Sequence, residues 1–127
     1  MKKQDLPLSP HLQIYKPQIT SLLSISHRIS GVALNFVLVI LVLGILCITL
    51  GESYFELLIS LITFFPIKII IFLAILGFSY HFLNGIRHII WDFGFLLGNR
   101  SSAIFGYFII ATSFISSIFV SRLWGLF

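Results

Sequence analysis

Four histidines stand in the sequence, and one of them, His81, lies where an imidazole is costly. It sits inside the run from Ile69 to Ile86, which has no formally charged residue, and no acid lies within a turn of it. On a helix it would be roughly 16 Å from Asp92 at 1.5 Å per residue. Ionisable residues at membrane depth mark functional sites by default. Gly77, His81, Gly85, His88 and Asp92 follow one another at spacings of 4, 4, 3 and 4, so they share one helical stripe. The two glycines bare the helix surface on either side of the imidazole. That allows a flat macrocycle such as haem to approach, with His81 as a ligand to its iron. It equally allows a close helix–helix contact with His81 hydrogen-bonded across it. Spacing leaves both open, and the Gly-His-Gly combination favours the cofactor.

His88, Arg87 and Asp92 fall nearer the end of that run. Arg87 reads as a topology charge, and His88 with Asp92 as an i,i+4 pair. The functional reading is that cations here receive the propionates of a haem hung beside His81. A second cluster is Ser24, Ser26, His27, Arg28, Ser30 and Gly31. Ser24, Arg28 and Gly31 lie on one face of a helix. A hydroxyl and a guanidinium next to hydrocarbon can grip a carbonyl-bearing lipophile such as a quinone. Taken alone, this cluster reads as a basic anchor with a serine cap. Asn35, one turn deeper than Gly31, is expected to hydrogen-bond across helices.

A bis-histidine haem needs two histidines at matched depth. His11, His27 and His88 are not at the depth of His81, so a second ligand must come from another chain or a second copy.

The elements that position these residues follow from composition. Of 127 residues 58% are apolar and 9% charged, against about 25% charged in soluble domains. A soluble core of this size cannot hide so much apolar surface. The chain is therefore expected to be an all-α integral membrane protein forming a single domain over 1–127, and not a nucleic-acid binder. Three apolar runs predict transmembrane helices over about 22–51, 57–92 and 101–125. Pro66 either opens the main part of the second helix or kinks it. Residues 98–102 read as a turn and an N-cap. The third helix carries no motif and is expected only to fill the bundle. Residues 1–20, with Pro7, Pro10 and Pro17, read as an extended arm. Lys2, Lys3, Lys16 and Arg28 precede the first run, Glu52 and Glu56 follow it, and Arg87 and Arg100 flank the second loop. Basic flanks stay inside, so the N-terminus and arm are expected inside and the C-terminus outside. Cys47 reads as a packing residue. No secretory or Arg/Ser-rich presequence is recognised, which fits a bacterial or organelle-encoded protein.

Three motifs resemble a known family. They are Pro7-Leu8-Ser9-Pro10-His11-Leu12-Gln13-Ile14-Tyr15, Ser24-Ile25-Ser26-His27-Arg28-Ile29-Ser30-Gly31, and the stretch from His81 through Gly85-Ile86-Arg87-His88 to Asp92-Phe93-Gly94. In order and spacing they look like the cytochrome b subunit of succinate dehydrogenase, respiratory complex II, of the mitochondrial and alphaproteobacterial type. The resemblance covers the whole chain.

That resemblance implies several roles. His81 would be the axial ligand of haem b, shared with a second small membrane-anchor subunit. Ser24 and Arg28 would help form the ubiquinone site, and His27, Arg28 and His88 would lie near the haem propionates. Asp92, Gly77 and Gly85 are supporting positions, and Tyr15 with the arm would face the iron–sulfur subunit. FAD and iron–sulfur clusters would belong to the flavoprotein and iron–sulfur partners. The chain would be an enzyme only as a non-flavin subunit, with no catalytic residue of its own for succinate, in an inner mitochondrial or bacterial membrane. Two readings from the residues remain beside it: a homodimeric b-type cytochrome with haem between two copies of His81, and a transporter subunit with His81 as a proton relay.

Overall fold

The computed structural model describes residues 16–127. Among them are four helices and no strand: α1 (Ile19–Thr49), α2 (Glu52–Thr63), α3 (Phe65–Asp92) and α4 (Asn99–Leu123). Three of these, α1, α3 and α4, are long and apolar enough to cross a membrane. At 1.5 Å per residue they measure roughly 46, 42 and 37 Å, all more than the ~30 Å hydrocarbon layer. The expected three-span architecture is present. Most of the arm, with His11 and Tyr15, lies outside the described residues, while Ile19 and Thr20 already belong to α1.

The second apolar run is two helices rather than one. A proline ring in a helix interior collides with the carbonyl four residues back and removes a backbone donor. The chain therefore leaves helical geometry at Phe64, with φ −67° and ψ 125°, and restarts with Pro66 in the first turn of α3. The Phe64 carbonyl accepts the Lys68 N–H at 3.1 Å, which opens the new helix. Gly51, between α1 and α2, has φ 118°, a conformation that favours glycine. At the start of α4 the expected turn and N-cap are present without a side-chain cap bond. Gly98 is the cap residue and has no side chain to offer. The Ser101 hydroxyl instead donates to the Gly98 carbonyl at 2.8 Å.

The inside of the bundle is small and polar. Leu23 and Ile109 are the buried apolar residues among those described, whereas Asn84, Arg87, Ser102, Ser113, Ser117 and Ser121 are buried polar ones. Large apolar side chains point outward along every helix. This is the arrangement lipid favours, since tails solvate leucine as well as another helix does, and small residues let backbones approach. α4 is more than filler. Its buried residues Ser102, Gly106, Ile109, Ser113, Ser117 and Ser121 form one continuous face that the sequence reading passed over. Ser113 and Ser117 donate back to the carbonyls of Ile109 and Ser113, so the face shows little polarity to its neighbours. Asn35 likewise bonds within its own helix, to the Gly31 carbonyl at 3.0 Å, and makes no cross-helix bond there.

Candidate functional site

The site lies where α1 crosses α3, at the end of the bundle that holds the start of α1 and the finish of α3. Three of the sequence-selected residues meet there. The rings of His27 and His81 stack with centroids 4.0 Å apart and planes 8° from parallel, so His27 does lie at the depth of His81, contrary to expectation, but 4.0 Å leaves no room for a macrocycle between the two rings. His88 tilts against His27 at 5.2 Å. The crossing is close because α1 presents Gly31 to His81. A Cβ at position 31 would sit 2.9 Å from His81 Cε1, closer than real Cβ contacts allow. Tyr80 ties the same helices together, its hydroxyl donating to the Leu23 carbonyl at 2.7 Å.

The hydrogen bonds of His81 decide its tautomer. Nδ1 lies 3.1 Å from the His27 carbonyl, which can only accept. It also lies 3.0 Å from Ser30 Oγ, whose own proton goes to the His27 carbonyl at 2.8 Å. Both partners require Nδ1 to donate, so Nε2 carries the ring's lone pair. An imidazole of this kind has a ligating nitrogen pre-oriented by a hydrogen bond on the other side. Among the described residues no group of three His, Cys, Asp or Glu side chains could hold a metal ion. A metal on His81 would therefore need donors from beyond these residues.

The two glycines flanking His81 have different surroundings. Gly77 has open space where a Cβ would be and lines a cavity of about 480 Å³ between α1, α3 and α4, together with Ser26, Leu73, Tyr80 and Ser113. Gly85 faces His27, whose Cε1 would lie 4.0 Å from an added Cβ. Bareness on this stripe thus serves the cavity at one glycine and the histidine cluster at the other.

Ser24 is half-buried and Arg28 exposed near the start of α1. Asp92 is exposed as the last residue of α3. Arg87 is not on the histidine side. It is fully buried against α4, where Nη2 donates to the Ser102 hydroxyl at 2.9 Å and to the Ser102 carbonyl at 3.1 Å. Nη1 reaches Asn84 Oδ1 at 3.3 Å.

Trp91 is the residue that sequence reasoning missed. Arg87 lies 4.1 Å over its ring, and His88 meets it edge-on at 5.2 Å. The signal was available, because Trp91 follows Arg87 by four residues and His88 by three, the helical neighbour spacings. Its Nε1 is buried without a hydrogen-bond partner among the described residues, as is Nδ1 of His27. Buried polar atoms are normally satisfied, so these two mark a place where a bound group would complete the site.

Residues 2–120 match the family described as the succinate dehydrogenase/fumarate reductase transmembrane subunit. A succinate dehydrogenase cytochrome b560 subunit from Chondrus crispus is 40% identical over 126 residues, 93% of this chain and 95% of that protein. A cytochrome b556 subunit from Rickettsia typhi is 43% identical, covering 84% and 83% of the two chains. A cytochrome b560 subunit from Marchantia polymorpha is 41% identical, covering 75% and 73%. With matches of that extent, the three spans and the histidine crossing belong to a membrane protein of the succinate dehydrogenase/fumarate reductase transmembrane subunit family.

Proposed function

We propose that this chain is the cytochrome b membrane anchor of a succinate:ubiquinone oxidoreductase, giving haem b one axial nitrogen and the ubiquinone site one wall. The observation that carries the reading is the pair of oxygens gathered at His81 Nδ1. Its Nδ1–H is taken by the His27 carbonyl and Ser30 Oγ, which leaves Nε2 as a lone-pair donor. The relatives' names, cytochrome b560 and b556, support the cofactor. When bound, haem supplies one-electron chemistry at its iron.

The chain's own residues hold and orient. His27 braces the His81 ring by stacking, and Ser30 fixes its rotation. His27, Arg28 and His88 would supply cations to the haem propionates, a role supported by the contact of His27 with His88, and the unpartnered Trp91 Nε1 would be a further donor. Ser24 and Arg28 can donate to the carbonyl oxygens of a quinone. The Arg28 charge stabilises negative charge that builds there on reduction, where low dielectric strengthens the interaction. Gly77, Gly85 and Asp92 shape the surroundings. A further ligand to the haem iron would be supplied by a second small anchor subunit. Succinate is oxidised on a flavoprotein partner, and electrons arrive through an iron–sulfur partner.

The test is a dithionite-reduced minus air-oxidised spectrum of the tagged chain, purified in mild detergent with its companions, beside His81→Ala. A b-type signal with co-purifying flavin and iron–sulfur absorbance, weakened in His81→Ala, is expected. Haem without those companions would favour a self-contained cytochrome. Folded wild-type material without haem would overturn the reading and favour a proton relay at His81.

A further inference from the structure

Arg87 poses a question that its hydrogen bonds do not answer. It is fully buried, and its partners are the Asn84 amide, the Ser102 hydroxyl and the Ser102 carbonyl, all neutral. Its Nε is buried without a partner. Among the described residues no carboxylate pairs with it; the acids there are Glu52, Glu56 and Asp92, and all three are exposed. An unpaired guanidinium inside a membrane bundle is costly. A neutral side chain of similar length could bridge Asn84 and Ser102 without that cost. The charge itself therefore needs a purpose.

The guanidinium donates to α4 and to Asn84, yet a chain of ring contacts joins it to the histidine cluster. The guanidinium lies on the Trp91 ring at 4.1 Å, Trp91 meets His88, His88 meets His27, and His27 stacks on His81. Six residues separate Arg87 from His81, roughly 9 Å along the helix axis. Across packed, half-buried side chains a charge acts at that range more strongly than it would in solvent.

Resting on the reading of His81 as a haem ligand, we propose that Arg87 is an electrostatic positioning residue: its unneutralised charge makes the haem bound at His81 easier to reduce. Reduction of the iron from ferric to ferrous adds one electron, and so one unit of negative charge, to the site. A fixed cation nearby stabilises that form over the oxidised one. Arg87 touches neither iron nor quinone, and its hold on Ser102 keeps the charge in place.

The experiment is a potentiometric titration of the haem in the whole detergent-solubilised complex. It compares wild type, Arg87→Gln, Arg87→Lys, Ser102→Asp and Ser102→Asn. The Ser102→Asp carboxylate would meet Nη2 and neutralise Arg87 without removing the helix clamp, and Ser102→Asn is its uncharged control. Arg87→Gln and Ser102→Asp should both shift the midpoint to lower potential, while Arg87→Lys and Ser102→Asn stay near wild type. Should Arg87→Gln fail to assemble, the Ser102 pair decides. A Ser102→Asp midpoint equal to that of Ser102→Asn, or an Arg87→Lys midpoint as low as that of Arg87→Gln, overturns the proposal and leaves Arg87 a structural clamp. Wild-type complex without haem would instead overturn the parent reading.

Discussion

His27 and His81, from different helices, lie ring on ring at 4.0 Å and within 8° of parallel. The backbone of His27 accepts from the same imidazole that its side chain covers. One residue of α1 thus controls both the plane and the tautomer of a residue of α3. Replacing His27 separates these effects, since the carbonyl stays. His27→Phe should keep the stack and most of the haem, whereas His27→Ala should lose ring contact worth about 0.5–1.5 kcal/mol and loosen the haem. Haem-to-protein ratios after detergent washing measure the difference.

Ser30→Ala removes one of two acceptors for the His81 Nδ1–H. Support of this kind behind a metal ligand is worth roughly 10- to 100-fold in affinity, and the surviving carbonyl places the loss near the lower end. A haem titration of the reconstituted complex should show it with helix content unchanged. Wild-type affinity in the variant would mean that the serine has no part in ligand orientation.

The glycines give a ranking. Gly31→Ala forces a methyl against His81 Cε1 and should displace the ring, with overpacking of about 1–3 kcal/mol and a sharp fall in haem occupancy. Gly85→Ala makes only an ordinary contact with His27, and Gly77→Ala enters open space. Both should retain more haem than Gly31→Ala. Loss from Gly77→Ala equal to that from Gly31→Ala would put the macrocycle against Gly77.

Most of the architecture was legible because lipid imposes a simple rule: long uncharged runs become spans. His81, His27 and His88 were legible as isolated polar residues in such runs. What escaped depended on direction around a helix. Gly31 was chosen for its spacing from Arg28, but its contact is with His81. Arg87 was read with the histidines next to it in sequence, yet it points into α4. The buried serines of α4 carry no charge or motif, and only their neighbours show that they are inside. Trp91 drew no reading from the sequence, and only its contacts with Arg87 and His88 show its place.

Arg28→Ala should spare assembly more than turnover, and reduce succinate–ubiquinone reductase activity by about 100-fold, the scale of losing a charge-stabilising donor. Succinate oxidation by an artificial acceptor, measured on the same preparation, should be unaffected. Equal loss of both activities would make Arg28 an assembly residue.

Ser117→Leu, at a position with no exposed surface, should push α4 from α3 at a cost of about 1–3 kcal/mol or more. Thermal inactivation in detergent reads it directly. Tolerance without change would mean that the small-residue face is not tightly packed.

The serine face of α4 also bears on how the helix finds its place. Hydroxyls at 113 and 117 are already bonded within the helix, so one turn of that face resembles the next. A surface of that kind tells α4 which side to present to α3 but not how far along to stop. The stop comes toward one end, where Arg87 takes both oxygens of Ser102 and Leu23 seats against the bare backbone of Gly106. The seam behaves like a sliding joint with one latch. Weakening the latch should leave α4 inserted and attached while allowing it to slip by a turn, giving protein of normal abundance with more than one axial register.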